Sequence, residues 1–226
     1  MLIFYILFFL VILFLLSYFL KILDLIGSIF AFVLGFFVTY FGSFYFLILL
    51  IVFVSVSFLA TKYKHSRKEK FVGFENTRSW ISVVSKGIIP LIVVLIPFNF
   101  TEKAILFSVA VAAATSDTIS GEIGILSDNA FYITNLKKAK PGENGAVSLL
   151  GEFWAFFGSF IIAIFALAFF SIDIIQFVFI IIFGFLGSQF DSIFGYIFEN
   201  RGKIKKYTVN ILAIGISIIL AYLIML

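Results

Sequence analysis

AILFSVAVAAATSDTISGEIG, residues 104–124, is the stretch on which the reading of this chain turns. Residues 104–114 are almost wholly apolar. The next ten residues hold two acids, Asp117 and Glu122, four hydroxyls, Thr115, Ser116, Thr118 and Ser120, and two glycines, Gly121 and Gly124. An ionisable group at membrane depth is costly and faces a cavity or a partner rather than lipid. Glycine lets backbone loosen or lets another group approach closely. The stretch therefore reads as a membrane span that ends in a binding site. On an ideal helix two positions five apart lie about 140° apart, so Asp117 and Glu122 do not share a face. Either Gly121 breaks the helix, or one acid binds while the other orients. Asp117, Ser120 and Gly124 do share a face.

The rest of the composition agrees with a membrane setting. The 226 residues are 63% hydrophobic and only 12% charged, with a mean hydropathy of +1.21. Soluble domains carry about 25% charged residues, and the apolar runs lack the period-two alternation of an outer-membrane barrel. The class expected is an all-α, polytopic integral membrane bundle of about eight transmembrane helices, forming a single membrane domain over 1–226. Three N-terminal spans lie in 1–60, and the motif-bearing spans lie in 73–226. Cysteine is absent, which excludes disulfides, thiolate metal sites and thiol nucleophiles. The lone histidine, His65, sits in the basic run KYKHSRKEK and reads as solvated loop, so histidine triads and zinc sites are not expected. A pI of 9.2 reflects basic loops that set topology, and no nucleic-acid partner is implied.

Spans are expected at 2–20, 25–41, 43–60, 80–97, 104 into the acidic motif, 146–170, 174–198 and 207–226, each able to cross a core about 30 Å thick. Residues 99–102 read as a short turn, 127–145 as a polar loop and 171–173 as a tight connection. Of the 16 basic residues, all but Lys86 and Lys103 fall on one side of this arrangement, and the positive-inside rule makes that side the cytoplasm. Arg67, Lys68 and Lys70 read as contacts to the inner leaflet. Of the 12 acids, only Glu102 and Asp173 fall on the other side. A one-sided polar cluster suits a water-soluble ligand met at the inner face better than a path through the whole depth.

Two further stretches join the acidic motif. Gly184, Gly187, Ser188, Asp191 and Gly195 recur at spacings of three and four, a pattern that suits close helix packing. Asp191 within it needs a cation, either a lysine such as Lys86 or a bound Mg²⁺, which takes carboxylates, waters and substrate phosphates. In 137–148, three lysines precede PGENGAVS, a turn leading into a helix whose N-terminus suits phosphate. Asn76 and Arg78, and Asn200 and Arg201, are asparagines beside charges at the same level.

In order, SDTISGEIG, PGENGAVS, GSQFDSIFG and the Val209-Asn210 pair resemble the phytyl-phosphate kinase family, also called the transmembrane protein 19 family, over roughly 73–210. The sequence departs from that pattern at Ser82 and Lys86, where the family tends to have Gln and Asn, at Ile119 in place of Trp, and near Tyr207, where an acid is usual. The resemblance implies CTP-dependent phosphorylation of a prenyl monophosphate to the diphosphate, with Mg²⁺ as cofactor. It implies Asp117, Glu122 and Asp191 as catalytic, metal-holding groups. Contacts to nucleotide and phosphates would come from Asn76, Arg78, Lys86, Thr118, Ser120, Asn144, Gly145, Ser148, Ser192 and Asn210. The partners expected are CTP, a prenyl monophosphate and membrane lipids, with homodimerisation left open.

The chemistry is compatible with the composition. Phosphoryl transfer needs positioning and charge neutralisation. An acceptor that is already a phosphate monoester, with a second pKa near 6, is largely ionised at pH 7, so no histidine base is required. The rivals are a polyprenol kinase or a CDP-lipid-forming cytidylyltransferase and, in another class, an ion-coupled transporter. No internal repeat supports the last.

Overall fold

The computed structural model describes residues 2–68 and 78–225; the expectations placed on Lys70 and Asn76 lie outside them. In chain order the helices are α1 (Leu2–Phe19), α2 (Leu25–Phe41), α3 (Phe44–Lys62), the single turn α4 (His65–Lys68), α5 (Trp80–Leu95) and α6 (Phe100–Gly124). After the strands β1 (Ala130–Tyr132), β2 (Lys138–Ala139) and β3 (Ala146–Val147) come α7 (Leu149–Phe169), α8 (Ile174–Phe194), a π-helical extension (Gly195–Glu199) and α9 (Lys206–Met225). The protein is a helical membrane bundle. Among the described residues five helices are long and apolar enough to cross a bilayer, and α1, α2 and α5 are shorter apolar helices.

Helix α6 is the hub. It packs on α3, α5, α7, α8 and α9. It is the least apolar of the five long spans yet 83% buried, against 28% to 39% for the others. Lipid tails are as apolar as leucine, so helices in a membrane associate through close van der Waals fit and polar contacts rather than water exclusion. Small residues make that fit. The α8 stripe does so directly: a Cβ added at Gly184 would lie 2.5 Å from Ala112 Cβ and 2.9 Å from Ser159 Cβ. Gly187 abuts Ala113, and Gly124 of α6 meets Gly151 of α7 backbone to backbone. Ser116 donates across to the Ala155 carbonyl at 2.7 Å. At the far end Phe46, Phe107 and Phe170 close the core, with ring centres 4.6 and 4.9 Å from Phe46.

Several local expectations are corrected. Residues 99–102 are not a turn between spans but the start of α6. Asn99 accepts from the Glu102 N–H at 2.9 Å, and the Glu102 carboxylate accepts from the Asn99 N–H at 3.2 Å, a capping box that satisfies two orphan donors. Gly121 does not break α6, which runs unbroken to Gly124. The polar loop folds into a small antiparallel sheet of order β2-β1-β3, pairing Ala130 with Ala139 and Phe131 with Val147. The helix after Asn144-Gly145 begins only at Leu149.

Candidate functional site

One end of the bundle gathers the C-terminal ends of α3, α6 and α8, the N-terminal ends of α5, α7 and α9, and the small sheet. Between them lies a cavity of about 420 Å³. Its walls include Arg78, Lys86, Asp117, Thr118, Ser120, Glu122, Asn144, Gly145, Ser148, Asp191 and Ser192. Asn210 is not in the wall. Its amide donates to Ser85 Oγ at 3.3 Å, inside the α5–α9 contact.

The two acids of α6 follow the helix geometry and face different neighbours. Asp117 meets α5: Lys86 Nζ donates to Asp117 Oδ2 at 2.6 Å and to Thr118 Oγ1 at 2.5 Å. Glu122 meets α3 and the chain leading into α5. Its carboxylate accepts from Thr61 Oγ1 at 2.9 Å, Lys68 Nζ at 3.0 Å and Arg78 Nη2 at 3.0 Å. Lys68 also donates to the Ala60 carbonyl at 2.6 Å and is fully buried. The inner-leaflet reading of Lys68 is therefore overturned: a buried ammonium needs a partner, and Glu122 is there.

Asp191 is the third acid. It is 4% exposed, and Lys206, at the first position of α9, donates to its Oδ2 at 2.5 Å. Asp117, Asp191, Lys86 and Lys206 all lie within electrostatic reach of one another. Asp191 Oδ1 is buried with no hydrogen-bond partner among the described residues. An orphaned carboxylate oxygen beside a second carboxylate, at the wall of an open cavity, fits a hard divalent cation, which takes one or two carboxylates and completes its shell with water and substrate phosphates. The three-acid set is corrected: no group of three acids or histidines placed to hold one ion occurs among the described residues. Glu122 lines the cavity but is held by Lys68 and Arg78.

Several hydroxyls serve the scaffold. Ser148 is the N-cap of α7: it accepts from Gly151 N and donates to the Gly124 carbonyl, each at 3.1 Å. Thr118 donates to the Ala114 carbonyl at 2.8 Å, and Ser120 to the Asp117 carbonyl at 3.0 Å while facing Ser188 Oγ at 3.3 Å. Asn144 offers its backbone carbonyl to Asn200 at 2.9 Å. Gly145 has φ +78°, and a Cβ there would lie 2.6 Å from Tyr196 Cβ and 2.7 Å from the Ser192 carbonyl, so only glycine seats this turn on α8.

Sequence reasoning passed over Thr61, Lys68 and Lys206 as site residues. A signal for Lys206 existed: it begins a span opposite an acid-bearing stripe. Outside the spans, Tyr132 donates to Glu143 at 2.5 Å. That bond holds the Glu143 carboxyl below its usual value and raises the Tyr132 phenol.

Comparison with known proteins agrees with the architecture. Residues 8–217 match the family described as Integral membrane protein DUF92. An uncharacterized membrane protein of Methanocaldococcus jannaschii is 33% identical over 204 residues, covering 89% of this chain and 85% of its own. No solved structure matches.

Proposed function

We propose that this chain, which belongs to the Integral membrane protein DUF92 family, is a kinase that transfers the γ-phosphoryl group of CTP to a prenyl monophosphate at the cytoplasmic face. The observation that carries this reading is the polar cavity at one end of an apolar bundle, where Arg78, Lys86 and Lys206 stand beside Asp117 and Asp191. Catalysis of phosphoryl transfer is mainly placement of two phosphates and neutralisation of their charge, and these five side chains are suited to both.

On this reading Lys86 and Lys206 exchange partners when substrates arrive, from the carboxylates to phosphate oxygens. Asp117 and Asp191 are then free to hold Mg²⁺, with the orphaned Asp191 Oδ1 as one ligand atom. The bound ion would supply charge neutralisation across the donor phosphates. Arg78, kept in place by Glu122 and Thr61, orients the acceptor phosphate. An oxygen of that phosphate forms the new bond to the γ-phosphorus, the bond from the γ-phosphorus to the bridging oxygen breaks, and CDP departs with that oxygen. The acceptor is already an anion near neutral pH, so no base takes a proton.

The test is product analysis. Purified protein is incubated with Mg²⁺, labelled CTP or ATP, and short prenyl alcohols or monophosphates. The expected products are prenyl diphosphate and CDP. Prenyl monophosphate plus CDP from the alcohol would make it a polyprenol kinase, and a CDP-lipid plus pyrophosphate a cytidylyltransferase. Substrate flux into proteoliposomes without nucleotide would favour the transporter.

A further inference from the structure

A second cavity, of about 390 Å³, lies between α1, α2, α3 and α5. Most of its wall is aliphatic and aromatic. Four residues, Thr61, Arg78, Ser82 and Lys86, line both this cavity and the polar one, so the two adjoin at these side chains. Lys21 and Lys62 stand in the wall at the same level, which rings the junction with cations. At the opposite end Gly35 of α2 approaches Leu10 and Leu47; a Cβ on Gly35 would lie 3.0 and 3.3 Å from their side chains.

We infer that this apolar chamber holds the single hydrocarbon tail of the acceptor inside the protein, and that its floor sets the longest tail the enzyme accepts. Identity of the head group rests on the kinase reading above; the chamber does not. The occupant follows from the walls. A cationic mouth opening into a polar cavity takes an anionic head, and an apolar bore takes a hydrocarbon. Its volume lies at the low end of the roughly 300–1,000 Å³ of ligand pockets, which suits one chain and not the paired chains of a bilayer phospholipid. Along α3 the wall runs from Leu47 to Thr61, fourteen residues or about 21 Å at 1.5 Å per residue. With C–C bonds of about 1.5 Å, a zigzag chain advances roughly 1.25 Å per bond, so the bore seats about sixteen main-chain carbons, or four isoprene units. Ser57, on the same wall one turn from Thr61, has a buried hydroxyl with no partner among the described residues.

The experiment uses full-length protein in nanodiscs and prenyl monophosphates of two to six isoprene units carrying a diazirine at the tail end. Photolabelling by the four-unit probe is expected on Leu10, Leu13, Leu34 and Leu47, with competition by unlabelled four-unit phosphate and none by phosphatidylcholine. Ala31→Trp, placed in the wall, should reduce that labelling at least tenfold. Leu47→Ala should shift the longest accepted tail upward by one isoprene unit, a gain that misfolding does not mimic. Labels scattered over the outward faces of α1 and α2, or phosphatidylcholine competing as well as the prenyl phosphate, would overturn the chamber. Floor labelling without phosphoryl transfer would uphold the chamber and remove the kinase; transfer with no floor labelling would do the reverse.

Discussion

Two sets of carboxylates, one at each end of the bundle, meet opposite fates. At the far end the half-buried Glu102 and the exposed Asp173 serve backbone: each belongs to a capping box, with Asn99 and with Gln176. At the near end Asp117, Glu122 and Asp191 bind lysine or arginine in partly buried pairs. A capping interaction contributes roughly 1 kcal/mol and asks nothing of its surroundings. Burying an ion pair costs several kcal/mol per ion in desolvation, which mutual attraction only partly offsets. Stability alone gives no reason to keep four such pairs around one cavity; use of the cavity does.

The sharpest way to break this comparison is Asp117→Asn. It leaves Lys86 facing a neutral amide, and removing one partner of a buried pair destabilises by about 3–5 kcal/mol. Thermal unfolding in detergent measures that. Turnover should fall by at least about a thousandfold, the scale on which charge-neutralising groups act in phosphoryl transfer. Unchanged CDP release from folded protein would take Asp117 out of the mechanism. Glu122→Gln comes next. Two cations lose their counter-charge, so Arg78 loosens, and the KM for the acceptor should rise about tenfold with a smaller change in kcat; an effect on kcat alone would move Glu122 nearer the chemistry.

Smaller effects are expected away from the charges. Gly145→Ala forces a side chain into a left-handed turn against α8 and should cost about 1–3 kcal/mol, read as a lowered unfolding midpoint. At the far end Glu102→Ala should cost about 0.5–2 kcal/mol and leave turnover alone. A loss of activity there would erase the distinction between the two ends. The smallest effect concerns the sheet. Glu143 titrates below its ordinary value because Tyr132 donates to it, so the stability it contributes is present above the unfolded carboxyl's range and is lost as pH falls through the folded one. Tyr132→Phe should flatten that loss on the acid side, below about pH 4.5, as followed by proteolysis of 127–148.

Much of this was legible in the sequence. Among the described residues each of the eight apolar runs becomes an apolar helix, five of them long enough to span and three shorter, with ends shifted by a few residues, because runs bounded by Asp24, Gly42, Asn99 and Asp173 leave few other boundaries. The 140° between Asp117 and Glu122 holds, and it sends one to α5 and the other to α3. The partners were less legible. Along the chain Lys68 and Lys206 are loop charges like Arg67 and Lys205; only the fold of α4 back onto α3 shows that Lys68 is buried on Glu122, and only the docking of α9 on α8 shows that the half-exposed Lys206 meets Asp191. The sheet was hidden because its strands are two or three residues long, too short for a period to register.

The hub helix has a consequence for how the protein is made. Helix α6, the least apolar of the five long spans and the most enclosed by the others, is a poor candidate for entering lipid alone, since it carries Asp117 and Glu122 in its last two turns and ionisable groups disfavour insertion. Its neighbours α7, α8 and α9 are synthesised afterwards. The order of synthesis leaves α3 and α5, where Lys86 offers Asp117 its counter-charge, as the partners that α6 can meet before the later helices enclose it.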